Sequence, residues 1–395
     1  MTGTDDLAAL LERAYARAGA SPAIAARLGV SDSAVRSWRE RGRVPPKYRA
    51  GLEAVADGKG QPAIPLDPLP PGHRLRGVST LIGPDGAISG QWIKTSKEAE
   101  TREAALERLL LELPSKVPVR VGTIPAPRPA ADPDLLAIYP MGDPHIGMLA
   151  WAPESGEDFD LRICEDLMAG AITDLVVRGP RTERALLVNL GDLLHSDNAQ
   201  QTTTHGTVLD TDGRHAKVLD AGMRLITHTI DALLGHHARV TVDSQIGNHD
   251  EYSAIMLAIG LRAYYRNEPR VDIAVNPATR HYHEFGRNLI GTVHGDKTKP
   301  DDLPEIMAAE AAEAWGRTAH RVWLCGHVHH SSVKDYRGCR VETFRTLAAR
   351  DAWHAGVGYV APRDMQRLVV HRDHGETSRE VCSVGYLRAK AQARA

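Results

Sequence analysis

From about residue 135 onward, five short apolar runs each end in residues that can bind a metal ion or transfer a proton. Each run is predicted to be a buried strand of an α/β domain, and ligand sites in such domains gather at the carboxyl ends of the strands. Every block contains glycine, which lets the backbone or a metal ion approach closely. The five blocks are Gly142-Asp143-Pro144-His145, Gly191-Asp192-Leu193-Leu194-His195, Gly247-Asn248-His249-Asp250, His294-Gly295-Asp296 and Gly326-His327-Val328-His329.

The metal-binding side chains of these blocks offer oxygen and nitrogen donors and no thiolate. Such donors suit Mn²⁺, Fe, Co or Zn rather than a sulfur-rich structural zinc site. One tetrahedral ion cannot use all of them, whereas two ions about 3.5–4 Å apart and bridged by a carboxylate can. Two such ions activate water and neutralise charge on a phosphate group, and a nearby imidazole can protonate the leaving oxygen. The pattern therefore predicts a phosphoesterase site with two divalent ions, with Mn²⁺ as the expected metal.

Together the blocks resemble the calcineurin-like metallophosphoesterase superfamily, whose motifs D-x-H, G-D, G-N-H-[D/E], H and G-H-x-H occur in this order. The resemblance covers roughly residues 135–350 and implies an α/β fold, a four-layer αββα sandwich. It also implies that His249 is the proton donor or stabilises the phosphate. The metal ligands it implies are Asp143, His145 and His329 at the first site, Asn248, His294 and His327 at the second, and Asp192 bridging both ions.

His195 lies three positions after Asp192, at a point that separates branches of this superfamily. The protein phosphatases carry G-D-x-V-D-R-G there, with Asp at that position and Arg soon after. The present G-D-L-L-H is instead similar to the SbcD-type DNA-repair exonucleases, in which that histidine assists catalysis. The resemblance favours a nuclease with His195 as a second catalytic residue, and a histidine that only supports a ligand or lies at the surface is the alternative.

The polar segment 200–215 follows the block that contains Asp192 and could contact substrate. Arg214 is its candidate substrate-binding residue, because a guanidinium group can clamp a phosphate with two parallel hydrogen bonds. An exposed loop without any substrate contact is the alternative.

The first sixty residues have a net charge of +3, which leaves −5 on the rest of the chain. Residues 21–41 resemble a helix-turn-helix of the kind found in phage repressors, with Gly29 in the turn and Val35 and Trp38 behind the recognition helix. This resemblance implies a DNA-binding domain, and a helical bundle that contacts proteins is the alternative. The implied contacts are Ser33, Arg36 and Ser37 to base edges and Arg39, Arg43 and Lys47 to phosphates.

Composition and turn signals divide the chain into six parts. Two segments rich in proline and glycine are predicted linkers, and the hairpin between them is predicted from two alternating runs around the turn at 83–86. The predicted parts are a helix-turn-helix domain at 1–56, a linker at 57–72, a hairpin and helix at 73–113, a proline-rich linker at 114–134, the metallophosphoesterase domain at 135–385 and a tail at 386–395.

The 395 residues include no apolar run near the ~20 residues that span a bilayer, and the first ten residues do not resemble a secretory signal. The four cysteines form no C-x-x-C pair, which argues against a zinc knuckle or a disulfide framework. We therefore expect a cytoplasmic protein that does not bind membranes. A single small DNA-binding unit binds weakly, so we also expect tethering or homo-oligomerisation.

The sequence thus predicts a two-metal phosphodiesterase that acts on DNA and is recruited by its basic amino-terminal domain. One alternative is a phosphodiesterase or phosphatase for a nucleotide or another small substrate. A second is a DNA-binding regulator whose phosphoesterase domain is vestigial. The complete set of ligands counts against this last alternative, since a vestigial site is expected to lose one.

Overall fold

The structure is a computed structural model that describes residues 3–57, 73–82, 88–97, 122, 124–125, 127 and 131–393. It divides into two compact units, residues 1–104 and 105–395. Within the described ranges, no helix has both the length and the apolarity needed to cross a membrane.

The first unit begins with four helices, α1 (Gly3–Ala18), α2 (Ser21–Leu28), α3 (Asp32–Arg41) and α4 (Arg49–Ala56). Helix α3 starts where the Ser31 side chain accepts a hydrogen bond from the Ala34 N–H, as the sequence predicts. Gly29 ends α2 in a left-handed conformation with φ of 66°, which suits glycine at this position. Leu11, Ile24 and Val35 are buried in a small apolar core among the four helices.

The same unit contains an antiparallel hairpin of β1 (His73–Ile82) and β2 (Ile88–Lys97), which confirms the predicted pairing of these two runs. The turn predicted at 83–86 and the helix predicted to follow at 98–113 lie outside the described residues. The same holds for 58–72 of the first predicted linker and for most of the second.

The second unit contains two mixed sheets, and all five apolar runs singled out in the sequence form strands of them. The six-stranded sheet has the order β13-β12-β3-β4-β5-β6 and the five-stranded sheet the order β10-β11-β9-β8-β7. In the first sheet β3, β4, β5 and β6 are parallel, and in the second β8, β9 and β11 are parallel. The strands are β3 (Asp132–Met141), β4 (Thr182–Asn189), β5 (Arg239–Ser244), β6 (Val271–Ile273), β7 (Arg280–Phe285), β8 (Asn288–Val293), β9 (His320–Cys325), β10 (Ser332–Tyr336), β11 (Cys339–Thr343), β12 (Asp364–His371) and β13 (Gly375–Ser383).

In the described part of the second unit, eight helices accompany these strands, together with a short 3₁₀ turn at Pro300–Asp302. Most of them cover the outer faces of the sheets, as in other α/β domains. They are α5 (Ala152–Ser155), α6 (Leu161–Arg178), α7 (His215–Leu234), α8 (Glu251–Tyr264), α9 (Leu303–Glu310), α10 (Ala312–Arg317), α11 (Ala352–Gly356) and α12 (Val384–Gln392).

Alternate residues of the central strands face different cores, which produces four layers. Ile138 of β3 and Val188 of β4 pack between the two sheets with Ile290 of β8. Their neighbours, such as Tyr139 of β3, pack on the other face of the first sheet against α6 and α7. On the outer face of the second sheet, Trp323 packs against α9 and α10. The αββα sandwich implied by the resemblance is thereby confirmed.

The carboxyl-terminal segment from residue 386 was expected to be a tail, but it belongs to α12 up to Gln392. Ser383 caps this helix by accepting a hydrogen bond from the Tyr386 N–H. Leu387 packs against the core beneath α6, and the Lys390 ammonium group donates a hydrogen bond to the buried Asp174 at 2.8 Å. These contacts pack the segment onto the domain.

Candidate metal centre

Strand register brings the five blocks to one end of the two sheets. Met141 pairs with Asn189 across β3 and β4, and Asn189 pairs with Ser244 across β4 and β5, so the blocks after these strands leave the sheet at the same level. Val293 and Cys325 pair in the same way at the ends of β8 and β9. The site is therefore built from both sheets.

The first block contacts the last one directly. The His327 N–H donates to both carboxylate oxygens of Asp143, at 2.9 and 3.0 Å, and the Thr346 hydroxyl donates to the Asp143 carbonyl at 2.6 Å. Asp143 is fully buried. These hydrogen bonds join the ends of β3 and β9 and hold the Asp143 carboxylate in place.

Six described residues other than glycine have positive φ, and five of them are proposed metal ligands. A left-handed backbone is uncommon for residues other than glycine, although Asp and His adopt it more readily than most, and such conformations cluster at functional sites. The five ligands are Asp143, His145, Asp192, His327 and His329, with φ between 43° and 69°.

At two glycines of the blocks, any side chain would overlap a proposed metal ligand. A Cβ atom at Gly247 would lie 2.0 Å from Oδ1 of Asp192 and 2.2 Å from its backbone nitrogen. One at Gly191 would lie 2.4 Å from Nδ1 of His294. Glycine at both positions is therefore a packing requirement of the site.

Asp143, His145 and His329 converge at the first proposed metal site. The Nε2 atoms of His145 and His329 lie 3.1 Å apart, and Nε2 of His329 lies 3.7 Å from Oδ1 of Asp143. All three residues are largely buried. This arrangement of one carboxylate and two imidazoles can hold one divalent ion.

Asp192, His294 and His327 form the second group of donors, and Asn248 adds an oxygen to it. Nδ1 of His294 lies 2.9 Å from the Leu190 carbonyl, which orients the ring so that Nε2 faces the site. That Nε2 atom lies 2.9 Å from Oδ1 of Asn248 and 3.4 Å from Oδ2 of Asp192. The donors of both groups are those predicted from the blocks and fit divalent ions that prefer oxygen and nitrogen.

His249 and His195, the two proposed catalytic residues, lie next to the first group. Nδ1 of His249 donates to the His195 carbonyl at 2.8 Å, and Nε2 of His249 lies 4.0 Å from Oδ2 of Asp192. Nδ1 of His195 lies 3.2 Å from Nδ1 of His145, and the rings of His195 and His249 stack at 5.3 Å. His195 is buried, so it contacts a proposed ligand rather than the solvent.

Burial and mutual charge separate the pKa values of these groups. Burial raises the pKa of Asp143 to about 7, and the neighbouring Asp192 contributes to this rise. Burial alone would lower the pKa of His294, but Asp192 and Asp143 outweigh it and raise this pKa to about 10. Burial lowers the pKa of His329 and that of His195 to about 3 each. The neighbouring carboxylates thus favour a protonated His294, whereas burial favours the neutral forms of His329 and His195.

We expect metal binding to displace that proton, so the apparent affinity for Mn²⁺ should rise with pH. His294 keeps its proton below its pKa of about 10, and a histidine ligand must be neutral to bind a cation. Between about pH 6 and about pH 9, the affinity should rise by up to about tenfold per pH unit for each proton displaced. Calorimetric titration in buffers of different ionisation enthalpy measures both the affinity for Mn²⁺ and the number of protons released on binding. Constant affinity without proton release would show that His294 is not a ligand.

Sequence reasoning assigned no role to Asp250, although it follows His249 directly. Its buried carboxylate accepts hydrogen bonds from the N–H groups of Leu194, at 2.9 Å, and Gly247, at 3.2 Å. Burial raises the pKa of Asp250 to about 8, with Asp192 contributing. Asp250 thus connects the block that carries Asp192 with the block that carries Asn248. Its position in a run of polar residues directly after a strand was the feature of the sequence that could have indicated this role.

A second missed group is Asp351 with His354 on α11. Nδ1 of His354 lies 2.7 Å from Oδ1 of Asp351, and the His354 ring stacks on that of His329 at 5.0 Å. No role was predicted for His354 from the sequence. Nothing in the local sequence indicates this contact, since Asp351 and His354 come from a loop and a five-residue helix after β11.

Arg214, the predicted phosphate clamp, is not among the residues that line the cavity beside the metal donors. It is exposed and immediately precedes α7. Thr203, Thr207 and Val208 from the same polar segment do line that cavity. The segment therefore reaches the site through its middle and not through its arginine.

The residues proposed to contact DNA lie on and after α3, and most are exposed. Arg36 pairs with Asp32 at 2.9 Å, one turn earlier on the same helix. Arg39 is different, because it makes two hydrogen bonds to Glu12 of α1, at 2.8 and 2.9 Å, and its guanidinium lies 4.1 Å above the Tyr15 ring. These contacts join α3 to α1, and the predicted contact of Arg39 with a DNA phosphate remains a prediction. The exposed residues of the set are Ser33, Arg36, Arg39, Arg43 and Lys47, and Ser37 is half-buried.

No protein-family model matches this sequence, and no curated protein is significantly similar to it. Among solved structures, a conserved uncharacterized protein of Streptococcus pneumoniae, described as a predicted phosphoesterase, is 12% identical. The match covers 63% of this chain and 98% of that one, with a TM-score of 0.26. Vps29 of Entamoeba histolytica in complex with Zn²⁺ is 11% identical over 62% of this chain and 98% of its own, with a TM-score of 0.25. The NAD nucleotidase of Haemophilus influenzae is 9% identical over 63% and 50%, with a TM-score of 0.30.

Proposed function

We propose that this chain is a two-metal phosphodiesterase that cleaves DNA. The observation that carries the proposal is the convergence of seven donors from five strand ends, five of them held in a left-handed backbone. Strain of this kind persists where function requires it. The presence of every donor also supports an active enzyme over a regulator with a vestigial site.

When bound, two divalent ions supply an activated water and neutralise charge on the phosphate. The chain's own residues must then handle the leaving oxygen, which needs a proton. His249 suits this role, because its Nδ1 is fixed by the His195 carbonyl and its Nε2 is left beside Asp192. His195 supports both His249, through that carbonyl, and His145, through its ring. Oxygen and nitrogen donors without thiolate favour Mn²⁺, with Fe, Co or Zn as substitutes.

DNA as the substrate is supported by two separate features. One is His195, which distinguishes the second block from the phosphatase pattern and contacts the metal donors directly. The other is the helical amino-terminal region, in which Arg36, Arg43 and Lys47 are exposed on or after α3. Exposed cations of this kind supply most of the affinity of a protein for the phosphate backbone.

A substrate panel tests the proposed function. The purified chain with Mn²⁺ is offered single- and double-stranded DNA, bis(p-nitrophenyl) phosphate and p-nitrophenyl phosphate, with and without a chelator. We expect metal-dependent hydrolysis of DNA and of the diester. Rapid hydrolysis of the monoester without DNA cleavage would instead support a phosphatase for small substrates. Inactivity on every substrate with DNA binding retained would support the regulator.

For the amino-terminal domain, we expect the double variant Arg43→Ala and Lys47→Ala to weaken DNA binding at all sequences alike. The slope of log affinity against log salt concentration is negative, and each lost phosphate contact reduces its magnitude by about 0.9. The double variant should therefore have a slope smaller in magnitude by nearly 2, measured by fluorescence anisotropy at several salt concentrations. Arg17→Ala on α1 removes one exposed cation outside this segment and serves as the control. An unchanged slope in the double variant would refute the phosphate contacts.

A further inference from the structure

A cavity of about 610 Å³ lies beside the proposed metal ligands. Its lining includes metal donors such as Asp192 and His327 together with Val208, Trp353 and Tyr359. Its volume falls within the range of about 300–1,000 Å³ that is usual for small-ligand sites. A group attached to a phosphate at the metal donors would enter this cavity.

Trp353 is unusually exposed for a large aromatic residue. It is 67% exposed, and Val208 on the same cavity is 79% exposed. Exposed apolar surface around a polar centre commonly marks a ligand groove. These side chains therefore form an apolar platform next to a site made of carboxylates and imidazoles.

The platform is connected to the metal donors through a series of ring contacts. The His329 ring stacks on His354 at 5.0 Å, and the His354 ring meets the Trp353 indole edge-on, also at 5.0 Å. Asp351 fixes His354 by accepting hydrogen bonds from its ring and its backbone N–H, at 2.7 and 2.8 Å. Since successive bases of a stacked strand are about 3.4 Å apart, the indole lies within a few nucleotides of the metal donors.

The described residues that line this cavity include no lysine and no arginine. Phosphate groups away from the metal donors would find no lysine or arginine there. The aromatic side chains of the apolar platform are therefore the groups in this cavity that suit a nucleobase. Stacking on aromatic side chains is the general means by which proteins bind unpaired bases without reading their sequence.

We propose that Trp353 stacks an unpaired nucleobase within a few nucleotides of the scissile phosphate, so that the preferred substrate is a single strand or a frayed end. This inference rests on the proposed function. A base inside a duplex has both faces covered by its neighbours and cannot reach the platform unless the duplex opens. Trp353 is thus a specificity-determining residue that contacts the substrate within a few nucleotides of the reacting phosphate.

The test compares kcat/KM with Mn²⁺ for four substrates: a single strand, the same sequence as a duplex, a matched strand of abasic residues and bis(p-nitrophenyl) phosphate. The wild type should prefer the single strand to the duplex. Trp353→Ala should lower kcat/KM on the single strand by roughly 5- to 100-fold, as for loss of one stacked base, and leave the abasic strand unchanged. Trp353→Phe should retain most of the activity. Trp151→Ala is the matched control, since Trp151 is 60% exposed but does not line the cavity.

Three results would overturn the inference while the proposed function stands. These are equal cleavage of duplex and single strand, no loss in Trp353→Ala on the single strand, and an equal loss on the abasic strand, all with the diester hydrolysed normally. If the wild type hydrolyses neither the diester nor any DNA, the proposed function itself fails.

Discussion

Replacing Asp192 by Asn is expected to lower phosphodiester hydrolysis by about 10³-fold and to reduce metal binding. Asp192 is buried, and it faces both the His294 group and His249. Loss of its charge removes the proposed bridge between two ions. Such ions supply several kcal/mol of transition-state stabilisation, and each 1.4 kcal/mol or so that is lost lowers the rate about tenfold. Steady-state hydrolysis of bis(p-nitrophenyl) phosphate with Mn²⁺ measures the effect.

Asn keeps the shape of Asp192 and can still accept the hydrogen bond that the His249 N–H donates to Oδ1 at 2.8 Å. The variant should therefore fold, which circular dichroism checks. Asp210→Asn is the control, because Asp210 lines the same cavity but lies outside the groups of metal donors. It should stay within a few-fold of the wild type. Wild-type activity in Asp192→Asn would exclude a bridging role for this carboxylate.

Gly247→Ala is expected to have the second largest effect, on both activity and stability. The added methyl group would lie 2.0 Å from Oδ1 of Asp192 and 2.2 Å from its backbone nitrogen, so rotation of the Asp192 side chain cannot relieve the overlap. Overpacking of this kind costs about 1–3 kcal/mol of unfolding free energy. Since the displaced residue is the proposed bridging ligand, we also expect hydrolysis to fall by roughly 100-fold or more, as a small displacement in an active site can cost about that much.

Gly260→Ala provides a control of opposite sign. Gly260 lies within α8, and a Cβ atom there would meet only Sδ of Met223 at 3.9 Å, an ordinary contact. Alanine in a helix interior is more stable than glycine by up to about 1 kcal/mol. In chemical denaturation, the unfolding free energy should therefore fall in Gly247→Ala and rise in Gly260→Ala. A Gly247→Ala protein as stable and active as the wild type would contradict the packing described around Asp192.

The strand ends could be predicted from the sequence because each apolar run is short and is followed directly by donors. Their division between two sheets could not be predicted from the residues alone, since β4 and β8 are both buried and their sequences look alike. Only the resemblance implied the sandwich. The register that brings Asp192 and His294 to 3.4 Å depends on pairing between distant strands, which short-range patterns do not contain.

Contacts between distant residues explain the remaining differences. Arg39 resembles a phosphate-binding residue in its own helix, but its partner Glu12 lies 27 positions earlier. The helix α12 was missed because its stabilising contacts are with Asp174 and the core beneath α6. The stacking of His354 on His329 likewise joins a residue of the short helix α11 to one that follows β9. In each case the local sequence is compatible with more than one set of contacts, and residues distant in the sequence determine which contacts form.

The most direct test of the two-metal site is anomalous diffraction from crystals grown with Mn²⁺. We predict two anomalous peaks per chain about 3.5–4 Å apart, both adjacent to Asp192. One peak should lie beside Asp143, His145 and His329, and the other beside Asn248, His294 and His327. No peak, or a single peak away from Asp192, would contradict the assignment of this cluster as a two-metal phosphodiesterase site.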